Sequence, residues 1–84
     1  MDLDLDFLTF LTEAGTPYID ESVAGTGYLP RTVRGVALFL LDQDGDLDLL
    51  TAKQQVTFSR FIAPLLNDPG CQAGFLDWQN ANNE

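Results

Sequence analysis

The apolar run Val36-Ala37-Leu38-Phe39-Leu40-Leu41 stops abruptly at four aspartates spaced two apart, at positions 42, 44, 46 and 48. This junction limits the fold more than any other stretch. Six consecutive apolar side chains must be covered, so the element that carries them is central to the core or to an interface. Leu29, Val33, Val36, Ala37, Leu40 and Leu41 repeat at i, i+4, i+7, i+8, i+11 and i+12, which is one helical stripe. Arg31, Gly35 and Asp42 lie opposite it, with Leu38 and Phe39 on its flanks. Pro30 suits the first helical position, where its missing N–H is no loss. The periodicity predicts a helix. The competing reading is a buried strand over Val33–Leu41, because a short apolar run fits both, and Gly35 weakens a helix by about 1 kcal/mol relative to alanine.

The flanking sequence also predicts helices. Leu3, Phe7, Phe10, Leu11 and Ala14 form one stripe over residues 2–14, with Leu8 at its edge, Leu5 outside it and Gly15 as the stop. Asp2-Leu3-Asp4-Leu5-Asp6-Phe7 alternates like a strand, but Phe7-Leu8 and Phe10-Leu11 break the alternation. Thr16-Pro17 reads as an N-cap and first helical residue, followed by Ile19 and Val23 on one face. Gly25-Thr26-Gly27 is a joint. Thr51-Ala52-Lys53-Gln54 fits a capping box and opens a helix with Gln54, Phe58, Phe61, Ile62 and Leu65 inward and Lys53, Val56 and Arg60 outward. Pro64 is expected to kink or end that helix near Ala63. Asn67-Asp68-Pro69-Gly70 is a turn, Phe75, Leu76 and Trp78 form a short docking turn, and 79–84 is frayed. The predicted fold is all-α, a single compact domain over 1–84 of four to five short helices. The alternative is an α+β domain with Val33–Leu41 as its buried strand.

Charge restricts the partners. Thirteen acidic against four basic residues give a net charge of −9, and residues 1–30 hold six acids and no base. Such a surface repels phosphate backbones and anionic lipid, so direct nucleic-acid and membrane binding are both disfavoured. Basic partners, cations or plain solubility remain as uses for the charge. A chain of 84 residues with 45% hydrophobic content buries roughly 60–70% of its unfolded surface in one core. One cysteine, no basic leader and no apolar run of membrane-spanning length predict a reducing, cytoplasmic setting.

Residue chemistry excludes most catalysis. The chain has no histidine, so the commonest general base and metal ligand is missing, and Cys71 alone makes neither a zinc site nor a nucleophile pair. It has no phosphate-binding glycine loop and no nucleophile elbow. The expected protein is not an enzyme and needs no cofactor, with calcium the one cation to weigh.

Asp42, Asp44, Asp46 and Asp48 are the candidate site. With Gly45 in the glycine place of an EF-hand loop, Asp42 and Asp44 take the third and fifth ligand positions. The Asp46 carbonyl then falls at the seventh, and Asp48 at the ninth. The run Asp42-Gln43-Asp44-Gly45-Asp46 through Asp48 also resembles the D-x-D-x-D-G-x-x-D loops of calcium-binding propeller repeats. Leu40 stands at the first EF-hand position and Thr51 at the twelfth, where a bidentate glutamate belongs, so two ligands are missing. The other reading is an inter-helix loop. There Asp-Gly makes the turn, Leu47, Leu49 and Leu50 pin it to the core, and the carboxylates stay in water.

Two faces are therefore candidates for binding a protein partner. One is the acidic surface at Asp42, Asp44, Asp46 and Asp48, joined by Asp2, Asp4 and Asp6 and extended by Asp20 and Glu21. A surface of this kind is similar to those of small acidic inhibitor proteins of phage and mobile elements, which imitate nucleic acid to occupy a basic protein. The other is the apolar remainder at Leu38, Phe39 and Val56, which could build a homodimer.

Overall fold

The ambiguity at the central run resolves as helix. In the computed structural model, which describes residues 3–82, α3 spans Pro30–Asp42, and no strand forms among the described residues. Pro30 opens α3 as expected, while Leu29 at the cap position contributes no side-chain bond. Val33, Val36, Ala37 and Leu40 are buried, each large one contributing about 1.5–3 kcal/mol through lost apolar surface. Gly35 faces solvent, and a β-carbon there would meet no atom within 4 Å.

Helix α1 spans Leu5–Glu13, later than the predicted start at residue 2. Asp4 explains the boundary. Its Oδ1 accepts the amides of Asp6 at 3.0 Å and Phe7 at 3.3 Å, so it is an N-cap and not a first-turn residue. Asp2 lies outside the described residues. Phe7, Leu8, Phe10 and Leu11 are buried. Leu8 is thus in the core and not at its edge, and Ala14 is exposed because the chain leaves the helix there.

Gly15 does not take the left-handed conformation of a helix stop, for its φ is −93°. A close approach requires it instead, since a β-carbon would lie 3.0 Å from Leu11 Cα and from Phe10 Cε2. Helix α2 spans Thr16–Val23 with Gly15, not Thr16, at its cap, and no side-chain oxygen caps it. Ile19 and Val23 are buried as predicted. Arg34 of α3 donates from Nε to the Thr12 carbonyl at 3.3 Å, placing a cation at the C-terminal end of α1, where the helix dipole is negative.

Residues 52–66 form one continuous rod. It comprises α4, Ala52–Thr57, a π turn at Phe58–Ile62, and α5, Ala63–Leu66. The capping box is complete: the Gln54 amide donates to Thr51 Oγ1 at 3.2 Å, and the Thr51 amide to Gln54 Oε1 at 2.9 Å. Pro64 does not end the helix. The amide of Ala63 reaches back five residues to the Phe58 carbonyl, and this wider turn lets the rod pass the proline and continue to Leu66. The Ser22 hydroxyl donates to the Phe61 carbonyl at 3.2 Å and ties α2 to the π turn.

Helix α6 spans Pro69–Asn82, far longer than the expected short turn. Asp68 Oδ2 accepts the Cys71 amide at 2.8 Å, so Asp68-Pro69 is an N-cap and first helical residue. The segment 79–82, expected to fray, is helical, and residues 83 and 84 lie outside the described residues. Phe75 seats α6 on α1, edge-on to Phe7 with ring centres 5.1 Å apart, and 5.7 Å from Phe10. Trp78 lies 5.7 Å from Phe10, while Leu76 points outward and is 57% exposed. Gly74 admits the Tyr18 ring: a β-carbon there would lie 3.2 Å from Tyr18 Cζ and closer still to its hydroxyl. Five rods therefore enclose one core, with overall extents of 38 × 29 × 19 Å.

Candidate functional site

The aspartate run is a helix C-cap joined directly to a short N-cap. Gln43 closes α3. The Gly45 amide then donates to the Leu40 carbonyl at 2.7 Å and the Asp44 amide to the Leu41 carbonyl at 3.3 Å, the paired bonds of a Schellman motif. The motif requires a left-handed residue, and here there are two, Asp44 at φ 55° and Gly45 at φ 81°. Aspartate is among the few side chains that tolerate this region.

Asp46 begins the next element. Its Oδ1 accepts the Asp48 amide at 3.0 Å, and its carbonyl accepts the Leu49 amide at 3.2 Å, forming a 3₁₀ turn at Leu47–Leu49. Leu50 is buried and Leu47 half-buried. Leu49 does not pin the loop, because the 3₁₀ turn aims it outward and leaves it 50% exposed.

The N-terminal stretch completes the site. Gly45 is buried under it: a β-carbon on Gly45 would lie 3.1 Å from Leu5 Cδ2 and 3.5 Å from Leu3 Cβ. A groove of about 550 Å³ results, with apolar walls from Leu3, Leu5 and Leu47 and a carboxylate rim from Asp44, Asp46 and Asp48. From the N-terminal stretch it is Leu3 and Leu5 that line the groove, while Asp4 and Asp6 do not. Asp42, on the last turn of α3, is exposed but does not line the groove. Glu21 borders a separate groove of about 210 Å³ with Tyr18, Pro64 and Asp68.

The geometry does not reproduce a calcium loop. The carbonyl of Asp46, expected at the seventh ligand position, and its carboxylate both hold amides of the 3₁₀ turn. Leu40, at the first position, has no side-chain oxygen to offer, and its carbonyl accepts the Gly45 amide. Among the described residues, no three acidic or cysteine side chains converge to hold a metal ion.

The proposed apolar face is divided. Leu38 is 40% exposed on the outer side of α3, whereas Phe39 is half-buried against the core. Val56, 50% exposed, lines a different groove of about 430 Å³ with Tyr28, Thr32, Ala52, Lys53 and Thr57. Neither Leu38 nor Phe39 lines it. This second groove was not expected from the sequence, because Tyr28 belongs to no apolar stripe. Leu3 and Leu5 were also missed as groove residues, although a leucine left outside its helix's stripe is the signal that marked Leu5.

Cys71 is fully buried at the start of α6. Burial, reinforced by the neighbouring Asp68 carboxylate, pushes its thiol up to about 11, so it is held protonated and unreactive.

No protein-family model matches this chain, and neither a curated protein nor a solved structure matches it. Among the described residues, no helix is long and apolar enough to cross a membrane.

Proposed function

We propose that this protein is a non-enzymatic interaction module whose acidic groove receives a basic segment of another protein. One observation carries the reading. Leu3, Leu5 and Leu47 provide apolar contact directly beside the carboxylates of Asp44, Asp46 and Asp48, on a chain of net charge −9. Apolar walls supply affinity, and a carboxylate rim steers and selects a lysine- or arginine-bearing partner. The two caps fix the loop backbone, so the rim is held in place before the partner arrives.

Isosteric variants test the reading without disturbing the scaffold. Asparagine tolerates the left-handed region at position 44 and caps as well as aspartate at position 46. Capture from a lysate with the wild type and with Asp44→Asn/Asp46→Asn/Asp48→Asn, at low and high salt, should give a band lost in the variant and weakened by salt. A partner retained equally by both chains would refute the acidic groove as the docking surface.

The net charge of −9, with Asp44, Asp46 and Asp48 along one groove, favours a narrower form of the same reading. In it, the partner is a nucleic-acid-binding protein and the carboxylates take the place of phosphates. Competition between this chain and duplex DNA for the captured partner tests it. Simultaneous binding of both would rule it out.

A further inference from the structure

We infer that the groove between the start of α3 and α4 is a second docking surface, and that it takes an acidic amphipathic segment of another protein. This goes beyond the acidic groove and does not depend on it. Its walls are largely apolar, with Val56 half-exposed, and it continues past Tyr28 and Thr32 to Leu29, which is 49% exposed. Val56 and Leu29, half-exposed at the two ends of adjoining grooves that share Tyr28 and Thr32, give an apolar partner face two anchor points.

Charge identifies the occupant. The chain has only four basic residues, and two of them, Lys53 and Arg60, stand at this groove. Lys53 lines it. Arg60 places its guanidinium 5.1 Å from the centre of the Tyr28 ring, which is itself a wall. Arg31 adjoins Thr32 on the first turn of α3. Among the described residues, no acidic one lines either part of the groove. The fourth base, Arg34, is engaged with the Thr12 carbonyl of α1. A chain with thirteen acidic residues thus places Lys53 and Arg60 at one apolar groove, the arrangement that complements apolar anchors flanked by Asp or Glu.

The backbone beside the groove is specialised too. Thr57, a wall residue, is followed at once by the π turn, and such turns recur at functional sites. That turn carries Arg60 and packs Phe61 against Tyr28 with ring centres 4.7 Å apart and ring planes inclined at 56°, which fixes the tyrosine wall.

The two grooves differ in their response to salt. The whole-molecule field repels an acidic segment at long range, while Lys53 and Arg60 attract it at contact. Salt screens both, so binding here should depend on salt far less than binding at the acidic groove.

The test uses two synthetic helical peptides with identical leucine faces, one with glutamates and one with lysines on the polar face. Each is titrated into the ¹⁵N-labelled full chain. The glutamate peptide should shift the amide signals of Tyr28, Thr32 and Val56, and Lys53→Glu should weaken its binding at least about fivefold. Val56→Asp, with an unchanged helical circular dichroism spectrum, should abolish it. The lysine peptide should leave those signals unmoved. The proposal is overturned if the glutamate peptide at millimolar concentration moves none of the three wild-type signals, or if Lys53→Glu binds it unchanged. It is overturned equally if those signals move with protein concentration alone, which would make a second copy the occupant.

Discussion

The amide of Gly45 donates to the carbonyl of Leu40 at 2.7 Å, and this bond turns an apparent metal-binding loop into a helix terminus. It fixes Gly45 in the left-handed region at φ 81° and holds it buried beneath Leu5. Gly45→Ala should therefore destabilise the protein by about 1–3 kcal/mol, from the left-handed conformation together with the clash on Leu5. Asp44→Asn, one residue earlier, should be nearly neutral. Urea denaturation of the two variants separates them, and equal midpoints would contradict the assignment.

Two other glycines should respond in opposite directions. Gly35 faces open solvent inside α3, so Gly35→Ala should stabilise by about 1 kcal/mol through helix propensity alone. Gly74 also lies inside a helix, but its α-carbon faces the Tyr18 ring. Gly74→Ala should push Tyr18 off α6, break the Tyr18 hydroxyl bond to the Gly70 carbonyl, and lower the melting temperature. Thermal unfolding of both variants is the measurement, and a shift of the same sign in each would be inconsistent with this packing.

The Asp46 carboxylate and carbonyl hold amides of the 3₁₀ turn, and Leu40 and Thr51 stand where two further ligands belong, so the loop lacks oxygens that calcium needs. Millimolar calcium should leave the melting temperature unchanged, both in the wild type and in Asp48→Asn. A rise that saturates with calcium and disappears in the variant would restore the metal-loop reading.

Burial of Cys71 gives stability a defined dependence on alkaline pH. The thiol titrates near 9.0 unperturbed and near 11 in the fold, because burial, and then Asp68, disfavour the thiolate. The folded state keeps a proton that the unfolded chain loses, so the contribution is fully present below the unfolded value and is lost as pH rises through the folded one. The stability difference between the wild type and Cys71→Ala should be constant at neutral pH and should shift against the wild type between those two values. A difference that stays flat across the range would show that the thiol is not desolvated.

Much of this fold was legible in the sequence where local chemistry and periodicity agree. The stripe through Val33, Val36, Ala37 and Leu40 and the Thr51–Gln54 capping box both appear as read. Errors arose where one residue type serves two purposes. Asp68-Pro69 resembles a turn but caps a 14-residue helix, and Gly74 hid that helix because its role, space for Tyr18, is tertiary. Pro64 resembles a stop but is absorbed by a π turn that no local pattern announces. At the candidate site, the sequence located the loop and its charge. The apolar walls at Leu3 and Leu5 depend on how α1 lies across Gly45, and the second groove on Tyr28 meeting Val56 between elements distant in the chain.

The acidic groove is tested most directly by the salt dependence of binding a captured partner, measured for the wild type and for the triple variant Asp44→Asn/Asp46→Asn/Asp48→Asn. The wild-type association constant should fall steeply with rising salt. The triple variant should bind more weakly at low salt and show a flattened slope, so that the two converge at high salt. Parallel slopes, with equal affinity at low salt, would contradict the claim that these carboxylates form the docking surface.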